Sequence, residues 1–347
     1  MAGERASELR QDIVSGEWVV IATGRARRPS DFVESTEASK EKGVCPFDRL
    51  GTDAKMVVAK DGVIHRANLT AVEWFVAVIP NKYPAFSPTD FCPMPQPYGP
   101  HAHMEGAGIH EVIYFKPHAR SIAEMTTEET RLVALAYRDR YRILPGEPCV
   151  QYVSLIHNHG AKSGASILHP HSQILAIPVM PPRVSRSFMG SARYFKEHQR
   201  CVHCVIIETE LKEKARLVFE NEHFLAFAPY ASRAAFELRI FPKKHESQFA
   251  ELPDASLTDF AEALRVVLQK LSVGLNNPSY NFFIHTAPAK AVGSFEHYHW
   301  HLEILPKTSI WGGLEFGTGI EISTIAPENA AAFLRSVSSS IPIESAI

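Results

Sequence analysis

The segment NHGAKSGASILHPHSQILAIP (158–178) has a counterpart later in the chain, FEHYHWHLEILP (295–306), and the relation between them decides the fold. Both place an H-x-H pair at the head of an apolar run that ends in proline. Working back from each pair, the same order of blocks recurs. The first half runs CPFD (45–48), VAVIPNKYPAF (76–86), HEVIYFKPHARSIAEM (110–125) and VQYVSLIHNHG (150–160). The second runs CVHC (201–204), FLAFAPYASRAAF (224–236), ELRIFPKKHESQFAEL (237–252) and YNFFIHT (280–286). His118 lies 6 residues before Glu124, and His245 lies 6 before Glu251. From that histidine to the H-x-H pair is 51 residues in one half and 54 in the other. Ordered recurrence over four blocks marks a duplicated domain. The seam is placed in the Pro/Arg/Ser-rich PVMPPRVSRS (178–187), giving domains over 1–180 and 181–347.

Within each unit the periods differ. VQYVSLIHN, SQILAI, FLAFAPY, FELRIFP, YNFFIHT and WHLEILP are short and rich in β-branched or aromatic residues, which predicts strands. TTEETRLVALAYRDRYRIL (126–144) and SLTDFAEALRVVLQKLSVGL (256–275) repeat apolar residues at helical spacing, behind a Thr or Ser cap and early acidic residues. Strands, one helix, then more strands imply an α+β fold, each unit a mainly antiparallel sheet with flanking helices. Alternation puts His169, His171 and Gln173 on one strand face, and His299, His301 and Glu303 on another. Pro170 cannot donate to a ladder, so this strand is expected at an edge or at a bulge.

Composition narrows the function. The chain has 347 residues, 45% hydrophobic and 21% charged, with net charge −2. That is a globular composition without the basic surface that nucleic acid or anionic lipid requires. No run is long enough to span a bilayer, and MAGERASELRQDI has no apolar core of a secretory signal. Five cysteines in this length form no disulfide framework. Cys92 and Cys149 look isolated, and a reducing cytoplasm with thiolates free for metal is the expected location.

Two chemistries are open to the histidines. Cys201-x-x-Cys204 can clamp a zinc ion from a turn, with His245 and His299 completing a tetrahedral set. The repeat predicts a matching set of Cys45, Asp48, His118 and His169, weaker because a carboxylate replaces one thiolate. A neutral imidazole can instead attack phosphorus, given one free nitrogen and donors for the phosphoryl oxygens. In NHGAKSGAS, Gly160 and Gly164 permit close backbone approach, Asn158 and Ser166 offer side-chain donors, and Gln173 adds one beside His171.

These residues resemble a known family. NHGAKSGASILHPHSQ is similar to the active-site signature of the galactose-1-phosphate uridylyltransferases, enzymes built from two histidine-triad (HIT) domains. LRQDIVSGEWVVIATGRARRPSDF (9–32) and VIPNKYPAF (78–86) are similar to the family's opening and nucleotide-contacting segments. GGLEFGTGIEI (312–322) resembles the C-terminal substrate loop of its ADP-glucose phosphorylase-like branch, as does the CVHC pair. The resemblance implies that His171 is a nucleophile carrying the nucleoside monophosphate. It implies that Gln173 and Ser166 hold phosphoryl oxygens and that Asn158 positions substrate. Arg25 and Arg28 would contact phosphate, Asn81 would lie near the nucleoside, and Gly317 and Gly319 would belong to the substrate loop. His169 would ligate a structural zinc with Cys45 and His118, and His301 would be the degenerate nucleophile position of the second domain. Bacterial members hold a second metal with a glutamate and three histidines. His285, His299 and His301 match the histidines, but the glutamate position falls in VSRS, which has no carboxylate.

The expected function is therefore a cytoplasmic, homodimeric nucleotidyltransferase that moves UMP between sugar 1-phosphates, with nucleotide sugar and sugar 1-phosphate as partners. The alternatives are an ADP-sugar or dinucleoside-polyphosphate phosphorylase, or a zinc-stabilised nucleotide-binding protein without turnover. Neither nucleic acid nor membrane is expected as a partner. His101, His103, His157, His159, His198 and His203 read as surface or internally satisfied residues, and Trp300 and Phe295 as packing.

Overall fold

The computed structural model describes residues 7–25, 45–289 and 295–338. The first half supplies β1 (Glu8–Gln11), β2 (Trp18–Ile21), β3 (Met56–Ala59), β4 (Ile64–His65), β5 (Trp74–Pro80), β6 (Gln96–Tyr98), β7 (His101–His103) and β8 (Ile109–Phe115). Helix α1 (Thr127–Ile143), β9 (Tyr152–His159) and β10 (His171–Ile177) complete it. Two helices follow, α2 (Pro182–His198) and α3 (Val202–Glu213), then β11 (Leu217–Glu220), β12 (Phe224–Phe227) and β13 (Leu238–Pro242). The chain ends through α4 (Asp254–Gly274), β14 (Tyr280–His285), β15 (His301–Pro306), α5 (Gly313–Thr318), β16 (Glu321–Ser323) and α6 (Pro327–Ser336).

Among the described residues, 11 strands join in the order β11-β12-β13-β15-β14-β9-β10-β8-β5-β3-β4, every pairing antiparallel. The order reads alike outward from the central β14–β9 pair. There β9, β10, β8, β5 and β3 answer to β14, β15, β13, β12 and β11. The duplication thus forms one sheet whose halves meet through backbone hydrogen bonds, with Phe283 opposite Ile156 and Asn281 opposite Asn158.

The sheet has two unlike faces because side chains alternate along each strand and register aligns them across strands. Ile174, Leu155, Phe282, Leu302 and Ile240 point to the face covered by α1 and α4, and they share one core with Leu132, Val133, Phe260, Leu264 and Leu268. The opposite face carries His110, Gln173, His171, Asn158, Asn281, His285, His301, Glu303 and Arg239. Helix α1 begins as its sequence predicts: the Thr126 Oγ1 accepts from Glu129 N at 3.1 Å, and Glu129 accepts from Thr126 N at 2.8 Å.

Several expectations change. Helix α4 starts at Asp254, ahead of Ser256, because Pro253 occupies the cap and Arg138 of α1 pairs with Asp254. The seam is mostly helix, since α2 starts at Pro182 inside PVMPPRVSRS. The strand after HPH is neither edge nor bulged: β10 begins at His171 and lies between β8 and β9. Pro170 precedes the ladder, so its missing donor costs nothing there. Cys92 and Cys149 are not isolated but joined by a disulfide spanning 57 residues. His101 and His103 sit in the exposed β6–β7 hairpin, on the surface. Trp300 is fully buried and packs on Phe249 and Phe260, as read from the sequence.

The N-terminal strands cover one end of the polar face. β1 and β2 pair, and β16 joins β2 in parallel. Asp12 ion-pairs with Arg239 at 3.3 Å, and α2 lies so close that a Cβ on Gly190 would fall 1.8 Å from the Val14 carbonyl oxygen. This end of the face is therefore closed, while the end bearing His171 is not covered by these strands.

Candidate active site and metal centres

His171 opens β10 and is 7% exposed. Its Nδ1–H donates to the carbonyl of His169 at 2.9 Å, which leaves Nε2 with the lone pair. Burial lowers its pKa against the opposing effect of that hydrogen bond, so the imidazole is neutral at pH 7. A neutral ring with one nitrogen tied to a carbonyl is competent for attack, since the carbonyl stabilises the positive charge that develops. The ring of Phe47 stands 5.4 Å away, on its flank.

The loop between β9 and β10 is held by its glycines. Gly160 has φ 79 and ψ 160, a conformation essentially restricted to glycine, and a Cβ there would lie 2.3 Å from Ser279 Oγ. Gly164, at φ 87, closes the short turn Ala161–Ser163, and Ser163 Oγ donates to Gly160 O at 2.7 Å. Asn281 Nδ2 donates to Asn158 Oδ1 at 2.7 Å and to Ser163 O at 2.9 Å, so the second half ties down the loop of the first. Ser166 is exposed. Gln173 Oε1 lies 2.7 Å from His110 Nε2. Asn81 follows β5, and its Oδ1 accepts from Tyr83 N at 2.8 Å. Arg25 closes a short 3-10 turn, and Arg28 lies outside the described residues. Gly317 lies within α5, and Gly319 ends it with φ 73.

A cavity of roughly 300 Å³ lies on this face where the halves meet, lined by Asn158, Asn281, Arg183, Arg233, Lys307 and Trp311. The sequence reading singled out only Asn158 among these. Arg183 was hidden in the seam. Lys307 and Trp311 stand just before the glycine pair of the C-terminal loop, so charge and aromaticity there were the available signal. His110 was also missed. It heads the strand of its block, but a lone histidine carries no motif.

The four expected ligands converge in each half. Cys201, Cys204, His245 and His299 bring their ligand atoms within 4.8 Å of one another, as do Cys45, Asp48, His118 and His169. In the second half Cys204 Sγ lies 3.3 Å from His245 Nδ1 and 3.6 Å from His299 Nδ1. A hydrogen bond from Cys204 pulls the Cys201 thiol far below its ordinary pKa and drives that of Cys204 up. In the first half His118 and His169 present their Nδ1 atoms to each other at 3.2 Å, and His118 Nδ1 lies 2.6 Å from Asp48 Oδ1. His169 Nε2–H donates to Phe115 O at 2.5 Å, which turns the Nδ1 lone pair inward. A ligating histidine with its second nitrogen on a carbonyl is the usual outer-shell pattern. Both sets fit a tetrahedral cation.

His285, His301 and Glu303 form a further cluster at the closed end, and His299 is not part of it. His301 repeats the His171 backbone contact, Nδ1 to His299 O at 3.2 Å, but burial pushes its pKa down to about 4. Glu303 stands where the first half has Gln173. Burial raises the carboxyl, but Arg233 and Arg239 overrule it and hold it well below its usual range. An anion in that place repels a phosphoryl group. Among the described residues no helix is long and apolar enough to cross a membrane.

Two family models match the chain: galactose-1-phosphate uridyl transferase, N-terminal domain, over residues 2–181, and its C-terminal domain over 188–339. An ADP-glucose phosphorylase of Arabidopsis thaliana is 34% identical over 339 residues, covering 96% of this chain and 94% of that protein. A galactose-1-phosphate uridylyltransferase of Thermotoga maritima is 28% identical, covering 94% and 98%. The solved Arabidopsis ADP-glucose phosphorylase with bound ADP-glucose superposes with a TM-score of 0.77 at 33% identity, covering 96% of this chain and all (100%) of that one. A solved uridylyltransferase gives 0.72 at 27% identity, covering 95% and 98%.

Proposed function

Because the chain belongs to the galactose-1-phosphate uridyl transferase family in both of its halves, we propose that it transfers a nucleoside monophosphate from a nucleotide sugar through a covalent His171 intermediate. The observation that carries this is the neutral His171 with Nδ1 committed to the His169 carbonyl and Nε2 free. His171 Nε2 attacks the α-phosphorus, an N–P bond forms, and the bond to the bridging oxygen breaks. The electron pair leaves with the sugar 1-phosphate. An oxygen of the acceptor phosphate then attacks the same phosphorus, the N–P bond breaks, and His171 is regenerated. Gln173 and the loop around Gly160, Gly164 and Ser166 hold the phosphoryl oxygens. Asn158 orients the leaving phosphate, and Arg25, Arg28 and Asn81 serve the nucleotide. Positioning of this kind supplies most of the acceleration in phosphoryl transfer.

In the first reading the nucleotide is UMP and the acceptor a hexose 1-phosphate. The second reading, adenylyl transfer from an ADP-sugar to inorganic phosphate, is favoured by the 34% identity to an ADP-glucose phosphorylase over 96% of the chain. Cys45, Asp48, His118 and His169, and Cys201, Cys204, His245 and His299, would each hold a zinc ion that would brace the approach to β10 and to β15. We also read the chain as cytoplasmic and homodimeric.

Intact-mass spectrometry after mixing with UDP-glucose or ADP-glucose tests the proposal. A nucleoside-monophosphate adduct, lost in His171→Ala, is the expected result, and the nucleotide that gives it identifies the base. No adduct with either nucleotide sugar overturns it.

A further inference from the structure

We infer that His110 is a positioning residue that decides which end of the Gln173 carboxamide faces the transferring phosphoryl group. The inference rests on the nucleotidyl-transfer reading above. The backbone N–H of Ala85 donates to His110 Nδ1 at 3.0 Å. A backbone donor cannot flip, so Nδ1 must carry the lone pair and Nε2 the hydrogen. That Nε2–H points at Gln173 Oε1, 2.7 Å away. The oxygen of the carboxamide is thereby committed to His110, and the two amide hydrogens remain for the face that Gln173 shares with His171.

A second fixed donor agrees with this assignment. Asn81 Oδ1 accepts from the backbone N–H of Tyr83 at 2.8 Å, so its amide nitrogen is the atom that stands 3.1 Å from His110 Nε2. With a hydrogen already on Nε2, that contact is not a hydrogen bond, and the Asn81 amide hydrogens stay available to a ligand. The backbone that carries the ring is anchored as well. Asn81 N donates to His110 O at 2.8 Å, and the next residue, Glu111, holds Arg140 of α1 through two bonds of 2.8 Å. Without a donor at this point, Gln173 can turn its oxygen toward the phosphoryl group, where it repels.

The isosteric pair His110→Gln and His110→Glu separates this role from packing. Gln keeps a donor for Gln173 Oε1, whereas Glu presents an acceptor and draws the amide hydrogens away. Single-turnover formation of the nucleotidyl-His171 adduct is the readout, in the wild-type and Gln173→Ala backgrounds. His110→Gln should stay within about 10-fold of wild type and His110→Glu should fall about 100-fold, the usual size for losing one oxyanion donor. The gap between Glu and Gln should vanish once Gln173 is Ala. Equal rates for the two variants, or a gap that persists in Gln173→Ala, overturn the role while leaving the nucleotidyl-transfer reading intact. No adduct in the wild type sinks both. If His110→Glu does not fold, long-range ¹⁵N–¹H spectra of the wild-type protein decide. A hydrogen on Nε2 supports the assignment, and a hydrogen on Nδ1 overturns it.

Discussion

Replacing Gly160 by alanine puts a methyl group where the two halves touch. The new Cβ would lie 2.3 Å from Ser279 Oγ, 2.9 Å from Ser279 Cβ and 3.0 Å from its Cα. Ser279 is itself 2% exposed and hands its carbonyl to Lys307 N at 2.7 Å, so it has little room to retreat. The backbone term is separate: φ 79 with ψ 160 costs a non-glycine residue about 1–3 kcal/mol. Overlap with Ser279 adds about 1–3 kcal/mol. Gly160→Ala should therefore cost about 2–6 kcal/mol and slow adduct formation by moving Ala161–Ser163 away from β10. Ser279→Gly removes the Oγ and Cβ of the clash but not the dihedral strain. In a double-mutant cycle read by urea unfolding, adding Gly160→Ala to Ser279→Gly should cost mainly the strain, with the close approach to the 279 Cα remaining, and leave a coupling of about 1–3 kcal/mol. A coupling of zero would refute the claimed contact. An unchanged adduct rate in a destabilised Gly160→Ala would refute the claim that this loop serves the reaction.

Two further outcomes follow from the metal sets and the buried imidazoles. Metal analysis should give about two zinc ions per chain, one lost in Cys201→Ser and the other in Asp48→Ala; a single zinc that disappears with Cys201→Ser would mean that the Asp48 set is empty. His157 is buried on β9 opposite Ser172 of β10, with Nδ1 2.8 Å from Ser172 Oγ and its ring stacked on Phe282, and burial holds its pKa well below 6.5. The unfolded chain takes up that proton below about pH 6.5 and the folded chain does not, so stability should be full above this pH and fall by up to about 1.4 kcal/mol per unit beneath it. His157→Gln should flatten that slope by about one proton in urea titrations from pH 7 to 5; an unchanged slope would show that His157 is not the group responsible.

How much of this was legible in the sequence depended on whether a signal was local or relational. The H-x-H pairs, the CxxC and the Gly/Ser loop have fixed spacing, and the four ligands of each half converge as the repeat implies. Strand edges were less readable. Pro170 suggested an edge because a proline within a ladder removes a donor, but sequence cannot say whether the ladder starts one residue later. The Cys92–Cys149 bridge joins segments without a shared motif, and only the fold brings them together. His110 meets Gln173 across 63 residues of sequence, and Arg183 and Lys307 line a cavity whose other walls come from distant segments. No window of sequence contains both partners of such a contact.

The same sheet explains why duplication need not give two equivalent sites. His171 and His301 occupy matching positions, each with Nδ1 on the carbonyl two residues earlier. What differs is what lies above them. Asp12 and Val14 of the N-terminal segment and α2 roof the second half, where Arg239 is paired to Asp12 and Glu303. Taking those charges out of water is tolerable only because they are paired, and removing one partner would strand the other at a cost of several kcal/mol. A phosphoryl group entering there would have to displace Glu303 from two arginines before meeting His301. In the first half the corresponding residue is the neutral Gln173, held by His110, so this position itself presents no charge to be displaced. The first half can then accept an anion beside Gln173, while the second half holds the N-terminal strands and α2 against the sheet. Its Asn281 in turn fixes the loop of the half that carries His171.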